Sequence, residues 1–347
     1  MSKERRSTKK ITINDVAKIA GIGVGTISRV LNDAPHVKES TRRKVLNAIE
    51  DLNYTTHYAA RTLSNGKTYL VGIVAPIFIR PFFFEVLRGI ESIISTTSYD
   101  MTLFNLENDE SKNRFFKRLP IRGRVDGLIL ISLYPSEKER RALLNLEIPV
   151  VLVDSFHPDF YSISVDNELG GFLATEYLIN LGYKEIFHIN EHLERPPFGF
   201  AVGSLRLKGY KKALSLYNLP FKEKNVVYTL TTKDGGRKAG EMMLERERIP
   251  SAIFAISDLQ AIGLLDYFKE RNVKLPEDFS LVGYDDLELA QYLELTTVSQ
   301  PIFQMGQLGA LNLLDLIQGN TPSTRNISLQ PQLKERKSCR RTKLWNF

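Results

Sequence analysis

The chain of 347 residues contains a single cysteine, Cys339, which excludes an internal disulfide and a cysteine-built metal centre. Histidine is scarce as well, and His157, His188 and His192 do not stand at metal-ligand spacing. No apolar run approaches the roughly 18 residues of a membrane span. Residues 1–12 are basic and polar, without the apolar segment of a secretory leader, so a cytoplasmic protein is expected. No Gly-x-Gly-x-x-Gly follows a strand, and no Gly-x-Ser-x-Gly elbow is present. The glycines of Gly21–Gly25 lie between two helices, where they cannot form a dinucleotide phosphate loop. These absences argue against an enzyme, and neither a cofactor nor a metal is expected.

The first 67 residues are short of acid. They carry thirteen lysines and arginines against six acidic residues, so this segment holds the whole net charge of +7 and the rest is nearly neutral. A basic module on a neutral body is the footprint of a polyanion binder. At this length the chain is too long for one typical domain.

Within the basic segment, Thr12 to Asn32 reads as two short helices joined by a tight turn. Ile13, Val16, Ala17 and Ala20 form one apolar stripe of 3.6-residue period. Thr12 and Asp15 can cap the first turn, and Gly21 stands where a helix ends in the left-handed conformation. The second helix keeps Ile27, Val30 and Leu31 for packing, which turns Val24, Gly25, Thr26, Ser28 and Arg29 outward. Two helices crossing at a glycine turn, the second with a small hydrogen-bonding face, make a helix-turn-helix. Thr41 to Tyr54 supplies a third helix with Val45, Ala48, Ile49 and Leu52 on one face.

From Tyr69 the texture changes. Short apolar strands at 69–76, 125–132, 149–154, 186–189, 252–256 and 280–283 alternate with helical patterns at 83–95, 137–145, 170–181, 207–217, 235–245, 259–271 and 305–317. Buried strands alternating with helices predict a parallel, doubly wound α/β architecture.

The run DVAKIAGIGVGTISRVLN (15–32), a third helix ending LNY, and then AARTL (59–63) resemble the lactose/galactose repressor (LacI/GalR) family. So do RPFFFEVLRGIE (80–91), RVDGLIL (124–130), SVDN (164–167), SLRLKGY (204–210), AIFAISDLQAIG (252–263), LPEDFSLVGYDD (275–286), LTTVSQP (295–301) and ERKS (335–338). The resemblance covers about residues 11–339. It implies an N-terminal all-α helix-turn-helix headpiece with a hinge helix, then a C-terminal α/β two-lobed periplasmic-binding-protein-like core with parallel sheets. The expected boundaries are a disordered arm at 1–10, the headpiece at 11–56, the hinge and linker at 57–67, and the core at 68–347. Within the core the N-lobe is expected at about 68–162 and 295–328, and the C-lobe at about 163–294 and 329–347. No tetramerising tail is expected after ERKS.

The resemblance further implies a transcriptional regulator, a repressor, that binds pseudo-palindromic operator DNA as a homodimer under the control of a small effector, a sugar or sugar derivative. Major-groove reading falls to Val24, Gly25, Thr26, Ser28 and Arg29, while Asn32, His36 and Thr41 match positions near the sugar-phosphate backbone, and Thr12 is a further DNA-binding position. Leu63 matches a minor-groove wedge, with Ala59 and Ala60 small enough for two hinge helices to meet. Thr56-His57 replaces the usual proline-asparagine before that helix. The effector positions are Phe82, Phe83, Ser132, Arg206 and Asp285; Asp166 and Asp258 read rather as helix caps. Arg80 puts a positive charge at the cleft rim, which makes an anionic or phosphorylated effector credible. Leu230-Thr231-Thr232 offers no ring where relatives stack one, and Phe198 or Phe200 of the long loop 190–202 could compensate. Phe84, Leu87 and Ile90 are expected at the dimer contact. The competing reading, a transport-type sugar-binding protein, lacks its leader and would leave the basic headpiece unexplained.

Overall fold

A computed structural model describes residues 11–31, 35–52, 67–76, 80–119, 124–191, 202–245 and 249–342. The chain divides into two compact units, Met1–Thr68 and Tyr69–Phe347. Among the described residues no helix is long and apolar enough to cross a membrane.

The first unit contains α1 (Ile13–Ala20), α2 (Val24–Leu31) and α3 (Glu39–Asp51). Asp15 Oδ2 accepts hydrogen bonds from both the backbone N–H and the hydroxyl of Thr12, 2.8 Å each, and so ties the first turn of α1. Gly21 ends that helix at φ +64°, and its N–H reaches back to the Ala17 carbonyl. Val16, Ile27, Val30, Val45 and Ala48 form the buried centre, one stripe from each helix. The third helix begins two residues before the sequence expectation.

The second unit holds two six-stranded sheets. Its elements are β1 (Leu70–Ala75), α4 (Pro81–Ile94), β2 (Asp100–Asn105), α5 (Asp109–Lys117), β3 (Gly127–Ile131), α6 (Glu137–Leu144), β4 (Val150–Val153) and β5 (Tyr161–Val165). There follow α7 (Asn167–Asn180), β6 (Phe187–Glu191), α8 (Val202–Leu216), β7 (Val226–Thr229), α9 (Lys233–Leu244), β8 (Ala252–Ala255) and α10 (Asp258–Lys269). The last are β9 (Ser280–Asp285), α11 (Glu288–Tyr292), β10 (Thr296–Ser299), α12 (Ile302–Ile317), β11 (Asn326–Leu329) and β12 (Gln332–Lys334).

The N-lobe sheet runs β11-β5-β4-β3-β1-β2 and is parallel throughout. The C-lobe sheet runs β12-β10-β9-β8-β6-β7, parallel except for the antiparallel edge strand β12. Both are doubly wound about a switch point, β1/β3 in one and β6/β8 in the other. In such sheets ligands bind outside the carboxyl ends of the strands at that point.

The chain passes between the sheets three times: after β5 at residue 166, after β10 at 300–301, and between β11 and β12 at 330–331. Each crossing lies a few residues beyond the boundary expected from sequence. In particular, 296–299 belong to the C-lobe sheet and not to the N-lobe. Their partner is β9, whose register places Val298 beside Tyr284. Ile90 is buried in the N-lobe core, so it is not available for a dimer contact; Phe84 is 58% exposed and Leu87 half-buried on the same helix.

Candidate functional site

On the headpiece, α2 buries Ile27 and Val30 and leaves Val24, Gly25 and Arg29 exposed, with Thr26 and Ser28 half-buried. Gly23 starts the helix, its carbonyl accepting from Thr26 and Ile27. Thr12 is exposed at the head of α1, and Thr41 is half-buried in the first turn of α3. His36 is exposed in a left-handed conformation at φ 75°. Asn32, Ala60 and Leu63 lie outside the described residues, as do His57, Ala59 and residues 1–10. The helix α2 therefore presents small and polar side chains from its N-terminal half, and the cation Arg29 from its last turn, on an open face, a surface able to enter a major groove.

In the core, one cavity of about 820 Å³, including its solvent-open mouth, collects the carboxyl ends of strands from both lobes. From the N-lobe come Pro76 after β1, Arg80, Phe82 and Phe83 at the head of α4, Ser132 after β3 and Asp154 after β4. From the C-lobe come Glu191, Arg206, Thr231, Ser257 and Asp285, and from the second crossing Gln300. All five effector positions expected from sequence line this one cavity. Phe198 and Phe200 lie outside the described residues; Thr231 is the wall residue where no ring stands.

Arg206 is 5% exposed and its guanidinium is already fixed. Nε donates to Asn167 Oδ1 at 2.9 Å, and Nη1 donates to the Ile256 carbonyl. The Tyr284 ring lies 3.4 Å below Cζ, and Nη2 stands 3.9 Å from Asp285 Oδ1. The close crossing of α7 and α8 sets this position, because a Cβ on Gly171 would lie 2.1 Å from the Arg206 carbonyl oxygen. A fork held by two backbone-anchored partners leaves Nη2 and the carboxylate to meet adjacent hydroxyls or a planar polar edge.

Among the described residues three carboxyls line the cleft. Asp285 accepts from Gln300 Nε2 at 2.6 Å; burial pushes its pKa up to about 6, against the pull of Arg206. Ser132 Oγ donates to Asp154 Oδ2 at 2.5 Å, and burial pushes that carboxyl up to about 7. Glu191 is held at both oxygens, by the Gly203 N–H at 2.9 Å and by the Thr231 hydroxyl at 3.2 Å. Ser132, Asp154 and Asp285 all have positive φ, 50°, 57° and 116°, and backbone strain of this kind concentrates where a surrounding structure holds a site in shape.

Asp166 caps α7 by accepting from the Leu169 N–H at 2.8 Å. Asp258 departs from the expectation. Ser257 caps α10, while Asp258 is fully buried and accepts from the Leu287 N–H and the Thr297 hydroxyl, so it pins the segment after β9 to β10. Sequence reasoning missed Asp154, Glu191 and Gln300. Each ends, or follows, a strand on the cleft side, as Asp285 does. Among the described residues no cluster of His, Cys, Asp or Glu is arranged to hold a metal.

A profile of the lacI family of bacterial regulatory proteins matches residues 12–57, and one of a periplasmic binding protein-like domain matches 175–339. Across nearly the whole length the chain is 35% identical to the HTH-type transcriptional repressor PurR of Proteus mirabilis, over 338 residues covering 94% of this chain and 96% of that one. Among solved structures, the lac repressor dimer bound to operator and the anti-inducer ONPF superposes with a TM-score of 0.81 at 27% identity, covering 95% and 99% of the two chains. The complex of the transcriptional regulator CelR with cellobiose superposes at 0.70 and 29%, covering 94% and 99%.

Proposed function

The chain belongs to the lacI family of bacterial regulatory proteins, DNA-binding transcriptional regulators and not enzymes, and from that premise we propose that it is a cytoplasmic, homodimeric repressor released from its operator by a sugar or sugar derivative bound between the core lobes. The observation that carries the reading is the meeting, in one cavity, of the anchored Arg206–Asp285 pair from one lobe with the Phe82 and Phe83 rings from the other. A sugar has adjacent hydroxyls for the pair and an apolar ring face for the aromatics. The cellobiose in the CelR complex supports the same ligand class.

On the DNA side, Val24, Gly25, Thr26, Ser28 and Arg29 read the major groove, Thr12, Asn32, His36 and Thr41 fix the backbone, and the hinge inserts Leu63 beside Ala60 in the minor groove. One headpiece reads only a few base pairs, so two are needed for a specific site. The effector acts by its differential affinity for two lobe closures. A closure that separates the paired linkers melts the hinge helices, which are marginal alone.

The test is a melting-temperature screen of the full chain with cellobiose, ribose, glucose, guanine and hypoxanthine. A saturable rise with a sugar, lost in Asp285→Asn, is expected, since a ligand specific to the folded state stabilises it by RT ln(1 + [L]/Kd). A rise with a nucleobase alone would favour the second reading, in which the Arg206–Asp285 pair grips a base edge. Residues 230–232 supply no ring to stack on such a base.

A further inference from the structure

The charges of the cleft are unequally committed. Arg206 is occupied within its own lobe by Asn167, the Ile256 carbonyl, Tyr284 and Asp285. Arg80, the other cation among the described residues of the cavity wall, sits at the head of α4 on the opposite lobe, half-buried, and its guanidinium makes no hydrogen bond or ion pair among the described residues. Burial works against its charge, and the carboxylate that acts to hold the charge is Glu191, across the cavity. Glu191 in turn cannot swing away freely, because Gly203 N–H and Thr231 Oγ1 fix both its oxygens.

An anion entering this cleft meets the fixed Glu191 carboxylate on the wall facing Arg80, while Arg206, the other cation among the described lining residues, is already engaged. Arg80, which alone would have favoured a phosphorylated ligand, is already opposed. We propose that Glu191 is the charge-selectivity residue of the cleft: it occupies the electrostatic partnership of Arg80, so the site admits uncharged polyols and refuses phosphorylated ones. Specificity obtained by placing a like charge against the wrong ligand is a common physical device, and here it costs little because Glu191 is paired at both oxygens before any ligand arrives. The claim deepens the reading of the cleft as a sugar site, but its test does not depend on which sugar is bound.

The experiment is calorimetry and melting of the full chain with inorganic phosphate, ribose and ribose 5-phosphate at fixed ionic strength. The variants are wild type, Glu191→Gln, Arg80→Gln and the double variant, with Glu191→Ala in reserve should the amide variant not fold. The basic headpiece is common to all and cancels in the comparison. Glu191→Gln is expected to bind phosphate or ribose 5-phosphate at least tenfold more tightly than wild type, and adding Arg80→Gln is expected to abolish the gain. Wild type binding the phosphates as tightly as Glu191→Gln, or a gain that survives removal of Arg80, overturns the proposal. If the charge switch appears while no neutral sugar in the wider screen binds wild type, the selectivity stands and the sugar reading fails.

Discussion

Gln300 Nε2 donates a 2.6 Å hydrogen bond to Asp285 Oδ1, and so joins the end of β9 to the second crossing between the lobes. Gln300 is buried, and its Oε1 has no hydrogen-bond partner among the described residues. A ligand hydroxyl at Asp285 is therefore one side chain away from a segment that must flex when the lobes move. Gln300→Leu should keep the fold and most sugar affinity but reduce the coupling between sugar and operator, which is typically about 1–3 kcal/mol in allosteric proteins. Operator titrations with and without sugar measure that coupling. An undiminished coupling would remove Gln300 from the route.

Gly171 lets α8 approach α7 at Arg206. A methyl group there overlaps the Arg206 carbonyl oxygen at 2.1 Å, and both partners are backbone, so one helix must shift. Gly171→Ala should cost about 1–3 kcal/mol of stability. It should also weaken sugar binding with no change in any group that touches the ligand. Chemical denaturation and calorimetry on the same variant test both effects.

Asp154 makes stability depend on pH. Its native pKa near 7 lies above the unfolded value of about 3.9, so the native state holds the extra proton between the two. Its contribution is fully present below about pH 4 and is lost as the pH rises through 7. His188 works in the opposite direction. It is buried between the Tyr210 and Phe254 rings, and burial lowers its pKa to about 3, so its charging opposes folding as the pH falls below about 6.5. Wild-type curves therefore mix two signs, and the informative quantity is a difference. Asp154→Asn minus wild type should rise steadily from pH 4 to pH 7 and then level off. A flat difference would mean that the carboxyl titrates as if it were exposed.

Arg29 is the one cation on the open face of α2. Arg29→Ala should lose about 1–3 kcal/mol of operator affinity and relax selectivity at one base pair if it reads a base edge. If it meets a phosphate, binding should weaken alike on all sequences. In either case log K should fall with log[salt] by about 0.9 per phosphate neutralised. Competition against random duplex at two salt concentrations separates the cases.

The three central strands read from sequence in each lobe, β1, β3 and β4 and then β6, β8 and β9, were legible for a physical reason. They are buried along most of their length and, apart from FHINE at β6, appear as mainly apolar runs. The outer strands were not. DMTLFN at β2, NISL at β11 and QLK at β12 are sheet edges with exposed alternate positions, and TTVS at β10 is polar by composition. The crossings were placed from the family resemblance and not from strand patterns, and the second slipped furthest, where the polar β10 carries no apolar marker for the end of the C-lobe. Arg206 and Asp285 were found through family motifs. Asp154 ends PVVLVD just as Asp285 ends SLVGYD, and a rule that asked for the polar residue at the cleft end of every buried strand would have found it. The same rule would have found Glu191 at the end of β6, but not that it faces Arg80 across the cavity, because the two stand on different lobes 111 positions apart in the chain.

Coupling of the cleft to DNA is measured directly by fluorescence anisotropy of a labelled operator selected from a random duplex pool. The full chain is titrated onto operator with and without the sugar that raises its melting temperature, for wild type and for Asp285→Asn. Operator affinity of wild type should fall by about 5–150-fold with sugar, while Asp285→Asn should bind operator equally well in both conditions. A sugar that saturates the cleft and leaves wild-type operator affinity unchanged would contradict the account.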